Sequence, residues 1–240
     1  MELLELSKRF GDLYKPSAKV PVLVDVPSLR FLMLDGEGGV GGPDFQDAMQ
    51  ALYGLAYPVK FAAKKELELS YSVMPAEGLY WSDEYDGTPG ITPSQLQELT
   101  WRLMIMLPDE VPGELVEATR EKVAAKKDLP RLGDIRVQTF SEGPSVQILH
   151  VGPYAEEAPT AQRLYAFAAE KGFDVTGPHH EIYLGDPNHS APEKLKTVLR
   201  YGVTKRRTQT STARHIKAVR TKAPTTCNTT CAAPKRSRRK

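Results

Sequence analysis

The chain has 240 residues, enough for one large domain or two small ones with an independent core. Its 40% hydrophobic and 26% charged residues are those of an ordinary globular protein, and no stretch reads as a membrane span or a secretion signal. The net charge of +2 hides an asymmetry: residues 205–240 hold twelve of the 32 Lys and Arg and none of the 30 Asp and Glu, which leaves 20 basic against 30 acidic residues, a net of −10, in residues 1–204.

In chain order, residues 1–20 read as a lead-in with room for one helical turn, closed by Lys15-Pro16-Ser17. A buried strand is predicted over Ser28–Leu34, followed by the glycine-rich loop Asp35–Gly42. That loop has acids among its glycines and no following Lys-Ser/Thr, so it reads as a turn and not as a phosphate cradle. Pro43 opens a helix whose apolar stripe (Phe45, Ala48, Met49, Leu52, Tyr53, Ala56) should stop at Pro58. Clean alternation predicts a strand over Glu66–Met74. Turn formers then flank Glu77, Tyr80 and Trp81, Asp86–Gly90 reads as a loop, Pro93-Ser94-Gln95-Leu96 leads on, and a strand is predicted over Thr100–Leu107.

A helix is predicted over Gly113–Lys127, with acids in its first turn and lysines in its last. Strands over Arg136–Phe140 and Ser145–Val151 read as a hairpin turned by Glu142-Gly143-Pro144. Val151–Glu157 closes the second strand and supplies the phenol of Tyr154 and two acids. Pro159 opens a helix that ends at Gly172. The strand His179–Leu184 stops at Gly185-Asp186-Pro187, and a last strand is predicted over Thr197–Val203. In the strand His179–Leu184, alternation puts His179, Glu181 and Tyr183 on one face and His180, Ile182 and Leu184 on the other. The histidines His179, His180 and His189 lack metal-ligand spacing and read as exposed, so no metal and no cofactor is expected. Cys227 and Cys231 lie in the basic tail and read as incidental thiols.

The two halves repeat one order of elements. Strand, glycine, proline-started helix, strand, Pro-x-x-Leu and strand recur, with Gly36 and Pro43 spaced as Gly152 and Pro159 are. The predicted fold class is therefore α+β: two strand-helix-strand-strand units, roughly residues 21–110 and 135–204, share one mostly antiparallel sheet. The expectation places helices on one face and a ligand cleft, with Glu181 in it, on the other.

This duplicated unit, together with Val151-Gly152-Pro153-Tyr154 and His180-Glu181-Ile182-Tyr183-Leu184, resembles the GyrI-like small-molecule-binding domain over about Pro21–Val203. The segments Pro75–Trp81, Trp101–Met106 and Pro192–Arg200 are similar to its stand-alone members, some of which hydrolyse strained cyclopropane rings. The resemblance implies that Glu181 lies at the floor of a cleft for planar, often cationic compounds. It also implies a small-molecule ligand as partner, with a sequestering module or a topoisomerase inhibitor as the other roles. After Tyr201 the pattern departs: Gly202 stands where a proline is expected, and a basic tail follows that reads as disordered, with weak non-specific nucleic-acid contact at most.

Ring opening needs a base for water and a donor for the oxygen that gains charge. Glu181 is the candidate base, with Glu77 the second choice, and Tyr154 and Tyr183 are candidate donors. Tyr80, Trp81 and Trp101 are candidate aromatic walls. Without a signal or a span, the chain reads as cytoplasmic, with no membrane partner.

Overall fold

The computed structural model describes residues 2–82 and 99–206. The expectations for Asp86–Gly90, Pro93–Leu96 and the tail, with its two cysteines, fall outside these residues. The elements are β1 (Glu2–Leu4), α1 (Leu6–Arg9), α2 (Gly11–Tyr14), β2 (Val22–Val26), β3 (Leu29–Glu37), α3 (Pro43–Glu66), β4 (Leu69–Tyr71), β5 (Ala76–Trp81) and β6 (Thr100–Met106). They continue with α4 (Gly113–Ala124), β7 (Arg136–Phe140), β8 (Gly143–Val151), α5 (Ala158–Glu170), β9 (Phe173–Val175), β10 (His179–Tyr183) and β11 (Lys196–Lys205).

The class is mixed α+β, built on a large and mostly antiparallel sheet. β3-α3-β5-β6 and β8-α5-β10-β11 are the two units, and they join where β10 pairs antiparallel with β5. The sheet does not end at its outer strands. Val22 faces Gln147 and Val26 faces Gly143; without any slip in register, Leu29 then faces Phe140 and Met33 faces Arg136. β2-β3 and β7-β8 are thus two long strands crossing as one ladder. Because β3 also pairs with β6 and β8 with β11, the pairing runs in a ring. A flat sheet would put β2 and β3 roughly 29 Å apart at strand spacing, yet only two residues join them. The sheet must therefore curl, which gives it an inner face and an outer face.

Five sequence expectations change. Residues Glu142–Pro144 do not turn a hairpin, because β7 and β8 pair with β3 and β2 and not with each other. Pro58 does not end α3, which runs to Glu66. An interior proline costs about 3 kcal/mol, but Val59 and Ala63 continue the buried stripe beyond it. The alternating segment Glu66–Met74 holds only β4, which pairs with β1; the strand that matches β10 is β5, in the stretch read as turn-flanked. Residues 1–20 form two short helices and a strand, with Leu6, Leu13 and Tyr14 buried. Finally, Glu181, expected on the helix-free face, lies on the face that carries α5, as the core packing shows. Ala161, Leu164 and Ala168 of α5 pack with Ile148, Leu199 and Tyr201, and Glu181 is the cross-strand neighbour of Leu199.

The inner face holds a buried polar network in place of a cleft. His180 sets Nε2 at 3.0 Å from Glu77 Oε2 and Nδ1 at 3.1 Å from Glu142 Oε2. Arg200 donates to Gln147 Oε1 at 2.9 Å and to the Leu13 carbonyl at 2.7 Å, Gln147 donates to the Asp12 carbonyl at 2.6 Å, and the Tyr14 hydroxyl donates to Glu77. Burial opposes charge on His180, but Glu142 and the bonds to both carboxylates outweigh it and raise its pKa. Glu142 is pushed up by burial and pulled further down by His180 and Arg200, with a net lowering. Two carboxyl groups thus face His180 and Arg200, and α2 closes the network.

Candidate functional site

The outer face of β10 presents His179, Glu181 and Tyr183, as strand alternation requires. β5 lies alongside, with Gly78 opposite Glu181. A Cβ at residue 78 would sit 2.4 Å from the Tyr80 hydroxyl, so glycine is what lets the Tyr80 ring fold over this point. There the Tyr80 and Tyr183 hydroxyls hydrogen-bond each other.

The other wall comes from the turn into α5. Gly152, at φ +140°, swings the chain back over the sheet, and His150 pins the turn through the Thr160 hydroxyl at 3.0 Å and the Pro153 carbonyl at 3.2 Å. Tyr154 and Glu157 follow. The Tyr154 ring meets that of Tyr183 edge-on at 5.8 Å. Glu157 occupies the cap position of α5 but does not cap the helix. Its carboxylate turns toward β10 instead, with Oε2 at 3.9 Å from His179 Nε2. On the opposite flank Tyr53 of α3 accepts the Ala76 N–H at 3.2 Å and lies near enough to Tyr154 to act on its charge.

His179 links two groups. Its Nε2 is 2.7 Å from Glu181 Oε1 and its Nδ1 is 2.5 Å from the Tyr201 hydroxyl. Nε2 donates to Glu181, and the Tyr201 hydroxyl holds the other ring nitrogen. The two carboxyls diverge. Burial would raise the pKa of Glu181, but the His179 bond and charge, with bonds from Tyr183 and Glu157, bring it below the ordinary value. Burial and the neighbouring negative charge of Glu181 push Glu157 up to about 10. One carboxylate and one carboxylic acid therefore stand side by side at neutral pH. Burial and the Glu181 charge also raise Tyr80 and Tyr183 well above 10 and Tyr154 to about 12, so all three remain phenols that can donate.

Of the residues singled out in the sequence, Glu181, Tyr183, Tyr154 and Tyr80 come together. Glu77 does not, because it lies on the inner face beneath His180. Trp81 is also on that face, beside Arg102 at 5.9 Å. Trp101 is wholly buried against Phe45 of α3 and over Gly36, as a core residue. His189 is exposed, 2.7 Å from Asp186, but His179 and His180 are buried, contrary to expectation. In the sequence Glu157 stands out only as one of two acids after Tyr154. Its position just ahead of the Pro159 helix start was the available signal. Nothing in the sequence marks Tyr201 as the partner of His179.

Residues 111–201 match the family described as the GyrI-like small molecule binding domain. Three solved structures from Listeria innocua are similar along their whole length. One, described as an uncharacterized conserved protein, is 34% identical, with 84% of this chain and 100% of that chain covered and a TM-score of 0.76. Two described as hydrolases are 32% and 31% identical, covering 84% and 85% of this chain and 100% of theirs, with TM-scores of 0.73 and 0.75. No curated protein matches the chain.

Proposed function

Since the chain belongs to the GyrI-like small-molecule-binding family, we propose that its site takes flat, apolar or cationic molecules and opens a strained electrophilic ring in them by hydrolysis. The feature that carries this reading is two adjacent buried carboxyls beneath a set of phenols, with Glu181 held low by its bond to His179 and Glu157 pushed up by burial and the Glu181 charge. Groups of one kind whose environments drive their pKa values apart are suited to opposite roles in acid–base chemistry. The description of two relatives as hydrolases points the same way.

For a cyclopropane fused to a dienone, Glu181 takes a proton from water as the water oxygen bonds to the ring CH2. The strained C–C bond breaks, and its electrons pass through the conjugated system to the carbonyl oxygen. That oxygen takes a proton from Glu157 or from the Tyr183 hydroxyl and becomes a phenol. His179 fixes Glu181 through its 2.7 Å bond. An anionic ligand would meet Glu181 in a site of low dielectric, at a cost of roughly a few kcal/mol, so neutral and positive compounds are preferred.

The test compares wild type with Glu181→Gln, which keeps the shape and removes the base. Turnover of a cyclopropane-bearing electrophile should fall by about two orders of magnitude, while the affinity for a neutral planar ligand changes little. Equal product from both proteins and from buffer would reject hydrolysis and leave a module that only binds.

A further inference from the structure

Beyond organic ligands, we propose that Glu157, His179 and Glu181 form a binding site for a borderline transition-metal dication of the Zn2+ class. The site is shared with the hydrolytic reading but does not depend on it. Each of the three side chains offers a ligand atom, and these atoms lie within 4.8 Å of one another; among the described residues no other group of His, Cys, Asp and Glu does this. A tetrahedral Zn2+ with bonds near 2.0 Å holds its ligands about 3.3 Å apart. The observed separations bracket that value, 2.7 Å between His179 and Glu181 and 3.9 Å between His179 and Glu157. Small rotations of side chains suffice to close on an ion.

A second observation points into the same place. Glu157 is only 6% exposed, and its Oε1 has no hydrogen-bond partner within bonding geometry among the described residues. A buried carboxylate oxygen is rarely left unmatched. The nitrogen ligand sets the class of ion, since imidazole suits Zn2+, Co2+ and Cu2+, while Mg2+ and Ca2+ are held by oxygen. The second nitrogen of His179 is bonded to the Tyr201 hydroxyl, the outer support that metal-bound histidines usually carry. Three protein ligands leave the fourth position for water. An ion seated here engages both carboxylates and so displaces Glu181 from its work as a base.

The experiment uses the full chain with Cys227 and Cys231 replaced by serine, so that the tail thiols contribute nothing, after removal of metal by chelation. Co2+ is added and the visible bands of tetrahedral cobalt are followed, then Zn2+ is added to displace it. One equivalent should bind, Zn2+ should abolish the bands, and Mg2+ should leave them unchanged. Glu157→Gln, checked for folding by circular dichroism, should weaken Co2+ binding about ten-fold or more. Glu181→Gln serves in its place if that variant does not fold. No bands with one equivalent of Co2+, or equal affinity in a folded variant, overturns the site. Ring-opening assays with chelator present keep the two readings apart: activity without metal and inhibition by Zn2+ is the expected pattern, while cobalt bands without any turnover would sink only the hydrolytic reading.

Discussion

Glu157 decides more than its place in the sequence suggests. Its folded pKa of about 10 lies far above the ordinary 4.5, so the folded state holds this proton more tightly than the unfolded chain does. Its penalty on folding is absent below the unfolded value, grows as pH rises between the two, and reaches at most about 1.4 kcal/mol per pH unit. Glu157→Gln should therefore be more stable than wild type at pH 9, with a smaller difference at pH 5; denaturant midpoints at both values check this. The same residue shapes the rate. With Glu181 as base and Glu157 as proton donor in the proposed ring opening, kcat should be level across neutral pH and fall as pH approaches about 10. Glu157→Gln should lose that alkaline limb. At this scale the sequence was legible where a strand forces alternation, as at Glu181 and Tyr183. It was silent where a contact joins distant segments, as His179 does with Tyr201 and Glu157 does with β10.

The elements show what local pattern can and cannot carry. Helix starts at Pro43 and close to Pro159 were readable because a first-turn proline has a local cause. The alternation in Glu66–Met74 misled, because α3 runs on through Pro58 and its last turn takes Glu66. Nothing local in the lead-in reveals that Arg200 and Gln147 need the carbonyls of Leu13 and Asp12. Deleting residues 1–14 should thus destabilise the fold by about 3–5 kcal/mol, since buried charges lose their partners. A chemical denaturation midpoint unchanged by the deletion would contradict the network as described. On the outer face, Gly36→Ala would place a Cβ 2.1 Å from the Trp101 ring. Such overpacking costs about 1–3 kcal/mol, read as a lower midpoint of thermal unfolding.

At the scale of the molecule, duplication was legible from matched prolines and glycines, and so was the fold class. The ring was not, because crossing of β2-β3 with β7-β8 depends on pairing across more than a hundred residues. The same crossing explains why the inner face is not the cleft: curling closes it, and buried side chains such as Met33, Met104, Glu77 and Gln147 fill it. No helix among the described residues is long and apolar enough to cross a membrane. Residues 206–240 carry no acid and few large apolar side chains, and we expect their removal to leave the melting temperature nearly unchanged. A drop of several degrees would show that they dock on the rest of the chain.

The central claim is that Glu181 activates water against a strained ring. The direct measurement is mass spectrometry of a cyclopropane-bearing dienone incubated in 18O-labelled water with wild type, with Glu181→Gln and with buffer alone. The account predicts ring-opened product carrying one 18O atom from wild type, and about a hundred-fold less from Glu181→Gln, although that variant still binds the compound. Product that forms equally in all three samples, or from wild type without the label, would contradict it.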